Sequence, residues 1–132
     1  MPKLDWRELA AIFAGGFLGA TARVLLVRVM PVTPGSWPWA TFVANIAGTL
    51  LLGYFVTRLQ ERLPVSAYRR PLLGTGLCGA LTTFSTVQVE VLRMLGAGRT
   101  GLAVVYVLAS IGVGFVGVFL ATALVRRPRM LA

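Results

Sequence analysis

Four long apolar segments, separated by short polar connections, make up most of the chain. The first spans about residues 9–29 and contains only Arg23 and Arg28 as charges, and the second spans 38–58. The third, at 71–95, is uncharged until Glu90, and the fourth, at 100–125, is uncharged throughout. Each is close to the ~20 residues with which a helix crosses ~30 Å of hydrocarbon. The pattern predicts an all-α membrane protein with four transmembrane helices.

The connections leave no room for a soluble domain, so residues 1–132 are predicted to form one transmembrane domain. Charged residues make up 13% of the chain, against about a quarter in soluble domains. The net charge of +9 does not indicate nucleic acid, because the arginines flank apolar runs, as loops at anionic lipid headgroups do.

The basic residues are unevenly distributed between the two sides of a four-helix topology. The side with both termini and the middle connection carries nine: Lys3, Arg7, Arg58, Arg62, Arg69, Arg70, Arg126, Arg127 and Arg129. The other side carries three, namely Arg28, Arg93 and Arg99. The positive-inside rule therefore predicts that both termini are cytoplasmic in the dominant orientation.

The third segment contains an unusual polar stretch, GTGLCGALTTFSTVQVE, at residues 74–90. Irregular backbone survives in a membrane only where protein or a polar cavity covers it. The stretch predicts a helix broken at Gly79 to Thr83, with freed carbonyls that suit a hard cation. The alternative is that its hydroxyl groups bond back to their own helix and merely bend it.

Other polar side chains inside the apolar runs form a donor-rich set. Asn45 offers amide donors, Arg23 lies within the first segment, and Tyr106 and Ser110 share a helix face. Such groups are candidate functional residues, although Asn45 also suits a helix-bridging hydrogen bond and Arg23 also suits snorkelling to the interface. Glu90 is the only acidic residue within the four apolar segments, so the set suits an anion.

Several function classes are disfavoured by what the sequence lacks. The single cysteine, Cys78, excludes an internal disulfide, and the absence of histidine excludes a Cys/His metal cluster. No nucleophile–base pair is evident, so an enzyme is the least favoured class.

Three motifs, in order along the chain, resemble the Fluc (CrcB) family of fluoride channels. They are GGFLGATARVLL at 15–26, WPWATFVANIAGTLLLG at 37–53 and GTGLCGALTTFST at 74–86. The resemblance implies a channel that lowers cytoplasmic fluoride by passive export across the cell membrane. It also implies an antiparallel, dual-topology-type dimer with two pores and a structural sodium ion at its centre.

The resemblance also implies roles for individual residues. Asn45 matches the pore asparagine, Phe84 the first of two pore phenylalanines, and Arg23 the vestibule arginine. The further positions along the ion pathway are Tyr106, Ser110, Thr83, Thr41 and Ser85. The backbone carbonyls of Gly79 and Thr82 match the ligands of the structural sodium ion.

Two features depart from the family pattern. Val87 stands where the second pore phenylalanine is expected, followed by Gln88 where serine is common. The charge bias favours one fixed orientation, which suggests a heterodimer with an oppositely oriented paralogue. A small multidrug exporter is a competing class, but it needs a membrane-buried carboxylate on the first helix, and Glu8 is too near the start to supply it. A non-transporting scaffold subunit also stays open, because Val87 has no aromatic ring.

Overall fold

The computed structural model describes residues 3–61 and 68–127; Arg62 and Arg129 of the charge count lie outside these ranges. Its helices are α1 (Trp6–Val29), α2 (Trp39–Glu61), α3 (Pro71–Cys78), α4 (Gly79–Leu81), α5 (Ser85–Gly96) and α6 (Thr100–Arg126). The α3 helix is wound as a π-helix and continues directly into α4.

Within the described residues, four spans are long and apolar enough to cross a membrane: Trp6–Val29, Trp39–Gln60, Pro71–Gly96 and Thr100–Arg126. The third span comprises α3, α4 and α5. The predicted all-α membrane fold with four long apolar helices is confirmed, and the chain is a multi-pass membrane protein.

The helices begin and end at recognisable local signals. Asp5 caps α1, because its Oδ1 accepts hydrogen bonds from the backbone N–H groups of Arg7 at 2.9 Å and Glu8 at 3.4 Å. The loop before α2 turns at Gly35, which has φ of 79°. Arg99 Nη1 donates to the Gly35 carbonyl at 3.2 Å, so this loop is tied to the start of α6.

Glycines bring α1 into backbone contact with the third span. A Cβ atom added at Gly15 would collide with the carbonyl oxygen of Leu72, and one at Gly19 would collide with that of Leu77. A Cβ at Gly76 would lie 2.6 Å from the Ile12 carbonyl oxygen. Gly15 and Gly19, which form a GxxxG pair, therefore serve packing within the chain, as small residues commonly do between membrane helices.

The third span is bent where α4 ends. Thr82 has an extended backbone with ψ of 154°, and the helix restarts only at Ser85. Gly48 of α2 faces this bend, because a Cβ there would overlap the Thr82 Cγ2 atom. Thr82 is therefore held against α2, and the carbonyls of Thr82 and Thr83 accept hydrogen bonds from side chains of other helices.

Candidate ion-binding cleft

A cleft of about 1060 Å³ lies between α2, the bend and α6. The residues that line it carry no charge, and its polar groups converge near the bend. They are Asn45, Gly48, Thr49, Leu52, Gly74, Cys78, Gly79, Thr82, Thr83, Phe84, Val87, Gln88, Val91, Leu92, Val107, Ser110 and Ile111. An open cleft with a few convergent donors inside a membrane span is a natural candidate for an ion site.

Asn45 holds the bend by a reciprocal pair of hydrogen bonds. Its Nδ2 donates to the Thr83 carbonyl at 3.0 Å, and its Oδ1 accepts from the Thr83 N–H at 2.8 Å. The helix-bridging role considered for Asn45 is thus present in the structure. An amide nitrogen has two N–H groups, so one donor remains for an ion in the cleft.

The hydroxyl groups around the bend bond partly to one another. Thr83 Oγ1 donates to Thr86 Oγ1 at 3.0 Å and accepts from the Thr86 N–H at 3.2 Å, while Ser85 Oγ lies 3.4 Å from Thr83 Oγ1. Thr82 Oγ1 bonds back to the Cys78 carbonyl at 2.9 Å. Back-bonding to its own helix therefore accounts for the Thr82 hydroxyl, whereas Thr83, Ser85 and Thr86 form a cluster at the start of α5.

Phe84 extends into the cleft with little cover from its own chain. Its side chain is 75% exposed, although it lies in the interior of the third span. Val87, one turn further on, lines the cleft and also packs against the buried cluster of Met94, Ala103 and Tyr106. Gln88 is exposed and lines the cleft as well, so its carboxamide adds a polar group to the lining.

The bend frees two backbone carbonyls, those of Gly79 and Thr82, from the hydrogen bonds of a continuous helix. A continuous helix would direct the Thr83 N–H at Gly79 and the Thr86 N–H at Thr82, but both N–H groups bond elsewhere. Arg23 Nη1 lies 3.4 Å from the Thr82 carbonyl oxygen. Arg23 therefore contacts the bend from outside the cleft, which does not include it among its lining residues.

Thr41 and Tyr106 lie away from the cleft and share the carboxylate of Glu90. Thr41 Oγ1 donates to Glu90 Oε1 at 2.6 Å, and Tyr106 OH donates to Oε2 at 2.8 Å. All three residues are buried, and Trp37 packs edge-on against the Tyr106 ring at 5.3 Å. A buried carboxylate is thereby given a partner on each oxygen.

The structure thus divides the predicted site residues into groups. The cleft contains Asn45, Thr83, Phe84 and Ser110, together with Gly79 and Thr82. Arg23 touches the bend from α1, and Thr41 and Tyr106 form the separate cluster around Glu90. Ser85 joins the hydroxyl cluster without lining the cleft.

Glu90 lies outside the cleft but joins two predicted site residues, a role that the sequence did not predict. Its position near the end of an apolar run is typical of a peripheral residue, and nothing in the linear pattern identifies Thr41, 49 positions away, as its partner. The signal that could have found it is its uniqueness, because it is the only acidic residue within the four apolar segments.

These features define a class of protein: a multi-pass helical membrane protein with an uncharged, donor-lined cleft at a bend in its third span. A family model described as CrcB-like protein, Camphor Resistance (CrcB), matches residues 10–122. The chain therefore belongs to the CrcB (FluC) family, as its sequence motifs predict.

Relatives with high identity support the same assignment. The chain is 59% identical over 130 residues to a protein of Mycobacterium bovis named Fluoride-specific ion channel FluC 1, and the alignment covers 98% of each chain. It is 60% identical over the same length to the FluC 1 protein of Mycolicibacterium paratuberculosis, again with 98% of each chain covered. A FluC 2 protein of Nocardia farcinica is 37% identical over 96% of this chain and 90% of its own. These names describe ion channels and not enzymes.

Proposed function

We propose that the chain forms a fluoride-selective channel that lowers cytoplasmic fluoride by passive export across the cell membrane. The observation that carries this proposal is the cleft, which combines amide and hydroxyl donors with an aromatic ring and contains no charged lining residue. Relatives at 59–60% identity that are named fluoride-specific ion channels support the choice of ion.

The cleft chemistry suits a small, strongly hydrated anion. Donors are available from the second Nδ2 proton of Asn45 and from the Ser110 hydroxyl, and both side chains line the cleft. The edge of the Phe84 ring carries the positive end of the ring quadrupole and can also face an anion. Several close donors of this kind replace water around the ion without trapping it by a full opposite charge.

We propose further that two chains assemble as an antiparallel dimer with two pores. The exposed Gln88 carboxamide lies in a span that crosses the hydrocarbon. Polar groups in such a span face protein or water, and a second subunit that covers the open cleft provides this environment. The second subunit is either another copy or a related chain in the opposite orientation.

The bend also fits the structural sodium ion expected from the family. The carbonyls of Gly79 and Thr82 are released from the helix ladder, and hard cations prefer such oxygen ligands. Arg23 shares the Thr82 oxygen, but at 3.4 Å this contact is long, and a carbonyl oxygen has a second lone pair. When bound, the ion would supply a fixed positive charge beside the cleft.

Transport in liposomes tests the proposal against a small multidrug exporter. A passive channel releases fluoride down its own gradient whether or not a pH gradient is present, and it does not move a cationic dye such as ethidium. Proton-driven accumulation of the dye, with no fluoride release, would contradict the proposal. Among the described residues, α1 has only Glu8, in its exposed first turn, as an acidic residue, so the structure offers little for such an exporter.

A further inference from the structure

A second groove lies between α2 and α6 and shares no lining residue with the ion-binding cleft. Its volume is about 640 Å³, within the range of small-molecule sites. The lining is apolar except at one end and consists of Leu50, Leu51, Tyr54, Leu120, Ala121, Ala123, Leu124 and Arg127. The groove thus follows the later turns of both helices and reaches the residue that immediately follows α6.

Close packing on one flank of α2 and α6 forms the floor of this groove. A Cβ added at Gly53 would lie 3.2 Å from the Ala121 Cβ, and one at Gly117 would lie 3.4 Å from Leu50 Cδ2. The larger side chains of the groove remain exposed: Leu120 by 56% and Leu124 by 58%. Apolar surface of this kind inside a membrane span is in contact with acyl chains unless protein covers it.

The basic end of the groove lies where a lipid headgroup would be. Arg127 lines the groove directly, and the guanidinium carbon of Arg58 lies 5.7 Å from the centre of the Tyr54 ring. Both arginines follow the last apolar turns of their helices, at the same end of the molecule. Basic pockets between transmembrane helices at the membrane surface are typical sites for anionic lipid headgroups.

We propose that this groove is a binding site for an anionic phospholipid. One acyl chain lies along Leu50, Leu120 and Leu124, and the phosphate group is held by Arg127 and Arg58. This inference does not rest on the proposed fluoride conduction, because it uses neither the cleft nor its residues. The arginine end of the groove favours an anionic headgroup over a second copy of this chain, which has a net charge of +9.

Lipid retention measured by native mass spectrometry tests the charged end of the site. The full-length protein is purified in a neutral detergent and mixed with phosphatidylglycerol or phosphatidylcholine of the same chain length. We expect clear preference for phosphatidylglycerol, reduced about fivefold by either Arg58→Gln or Arg127→Gln and about 30-fold by both together. The control is Arg28→Gln, because Arg28 is an exposed arginine in the last turn of α1, at the opposite end of the bundle.

A groove-filling variant tests the acyl-chain end. Ala123→Phe places a ring in the groove, and Ala14→Phe places the same ring on an exposed position of α1. Only Ala123→Phe is expected to abolish retention of phosphatidylglycerol, with an unchanged melting temperature in lipid-free detergent.

Three results would overturn the proposal. Equal retention of the two lipids by the wild-type protein would show nonspecific contact, as would equal losses in Arg28→Gln and the two groove arginine variants. Dissociation of a dimer by Ala123→Phe, without loss of lipid, would instead identify the groove as a contact between subunits.

Discussion

Asn45 and Thr83 lie 38 positions apart in the sequence, yet the side-chain amide of one satisfies both backbone groups of the other. This geometry needs a donor and an acceptor in a single planar group, which asparagine supplies and aspartate does not. At the residue scale, the same side chain therefore shapes the bend and presents its remaining N–H to the cleft.

Asn45→Asp is expected to lower the fluoride efflux rate from liposomes by more than about tenfold. The variant keeps the acceptor for the Thr83 N–H but loses the donor to the Thr83 carbonyl, at a cost of about 1–3 kcal/mol, and adds a negative charge to the cleft. Thr49→Val is the control, because Thr49 also lines the cleft but donates to the Ile46 carbonyl of its own helix. Equal rates in the two variants would contradict the role of Asn45.

Tyr106→Phe is expected to lower the melting temperature in detergent, because Glu90 Oε2 loses its hydrogen-bond donor. Leaving a buried acceptor unsatisfied costs about 1–3 kcal/mol. Tyr68→Phe removes a hydroxyl group from an exposed ring outside the helices and serves as the control. Full additivity of Tyr106→Phe with Glu90→Gln would show that the two side chains do not interact.

The sequence allows some of these residue-level contacts to be anticipated. A lone asparagine in an apolar run has to face protein or a polar cavity, so Asn45 could be predicted as a candidate site residue. The pairing of Thr41 and Tyr106 with Glu90 could not be predicted, because it depends on how three helices are rotated about their axes. The spacing of apolar residues gives no information about that rotation when a helix is apolar on every side.

At the element scale, backbone contact between α1 and the third span positions the bend. Gly19 meets the Leu77 carbonyl, and its added Cβ would also lie 2.9 Å from the Leu81 nitrogen, immediately before the bend. A methyl group there has to displace backbone and not a flexible side chain. The rise and rotation of the third span relative to α1 therefore depend on this glycine.

Gly19→Ala is expected to destabilise the protein by several kcal/mol, because overpacking against backbone is costly. If the variant does not fold, it should give no monodisperse peak in size-exclusion chromatography. Gly112→Ala is a matched control in α6, since no atom lies within 4 Å of its added Cβ. That variant should be neutral, or more stable by up to about 1 kcal/mol through lower unfolded-state entropy. Similar behaviour of the two variants would contradict the proposed packing.

The four apolar spans could be predicted because hydropathy and length constrain membrane helices strongly. The structure places their starts and ends near the predicted positions, at Trp6–Val29 for a predicted 9–29 and Thr100–Arg126 for a predicted 100–125. The π-helical winding of Pro71–Cys78 could not be predicted, because hydropathy and segment length do not distinguish a π-helix from an α-helix.

At the scale of the whole molecule, most basic residues of the described ranges lie at the end where α2 and α6 finish. The nine-to-three bias in the sequence predicts one dominant orientation, with both termini in the cytoplasm. Labelling in intact cells tests this with single cysteines in a Cys78→Ala background. Thr33→Cys, in the loop before α2, should react with an impermeant maleimide, and Tyr68→Cys should not. Equal labelling of the two sites would show dual insertion and would remove the argument for an oppositely oriented paralogue.

The central claim is selective fluoride conduction, and ion efflux from liposomes that contain this chain alone tests it most directly. Fluoride- and chloride-selective electrodes would follow both ions from the same vesicles. We expect rapid fluoride release and no chloride release above protein-free vesicles, although Val87 stands where the family resemblance implies a second pore phenylalanine. Release of both ions would contradict selective conduction. Release of neither ion from well-folded protein, even when an oppositely oriented paralogue is present, would contradict it as well.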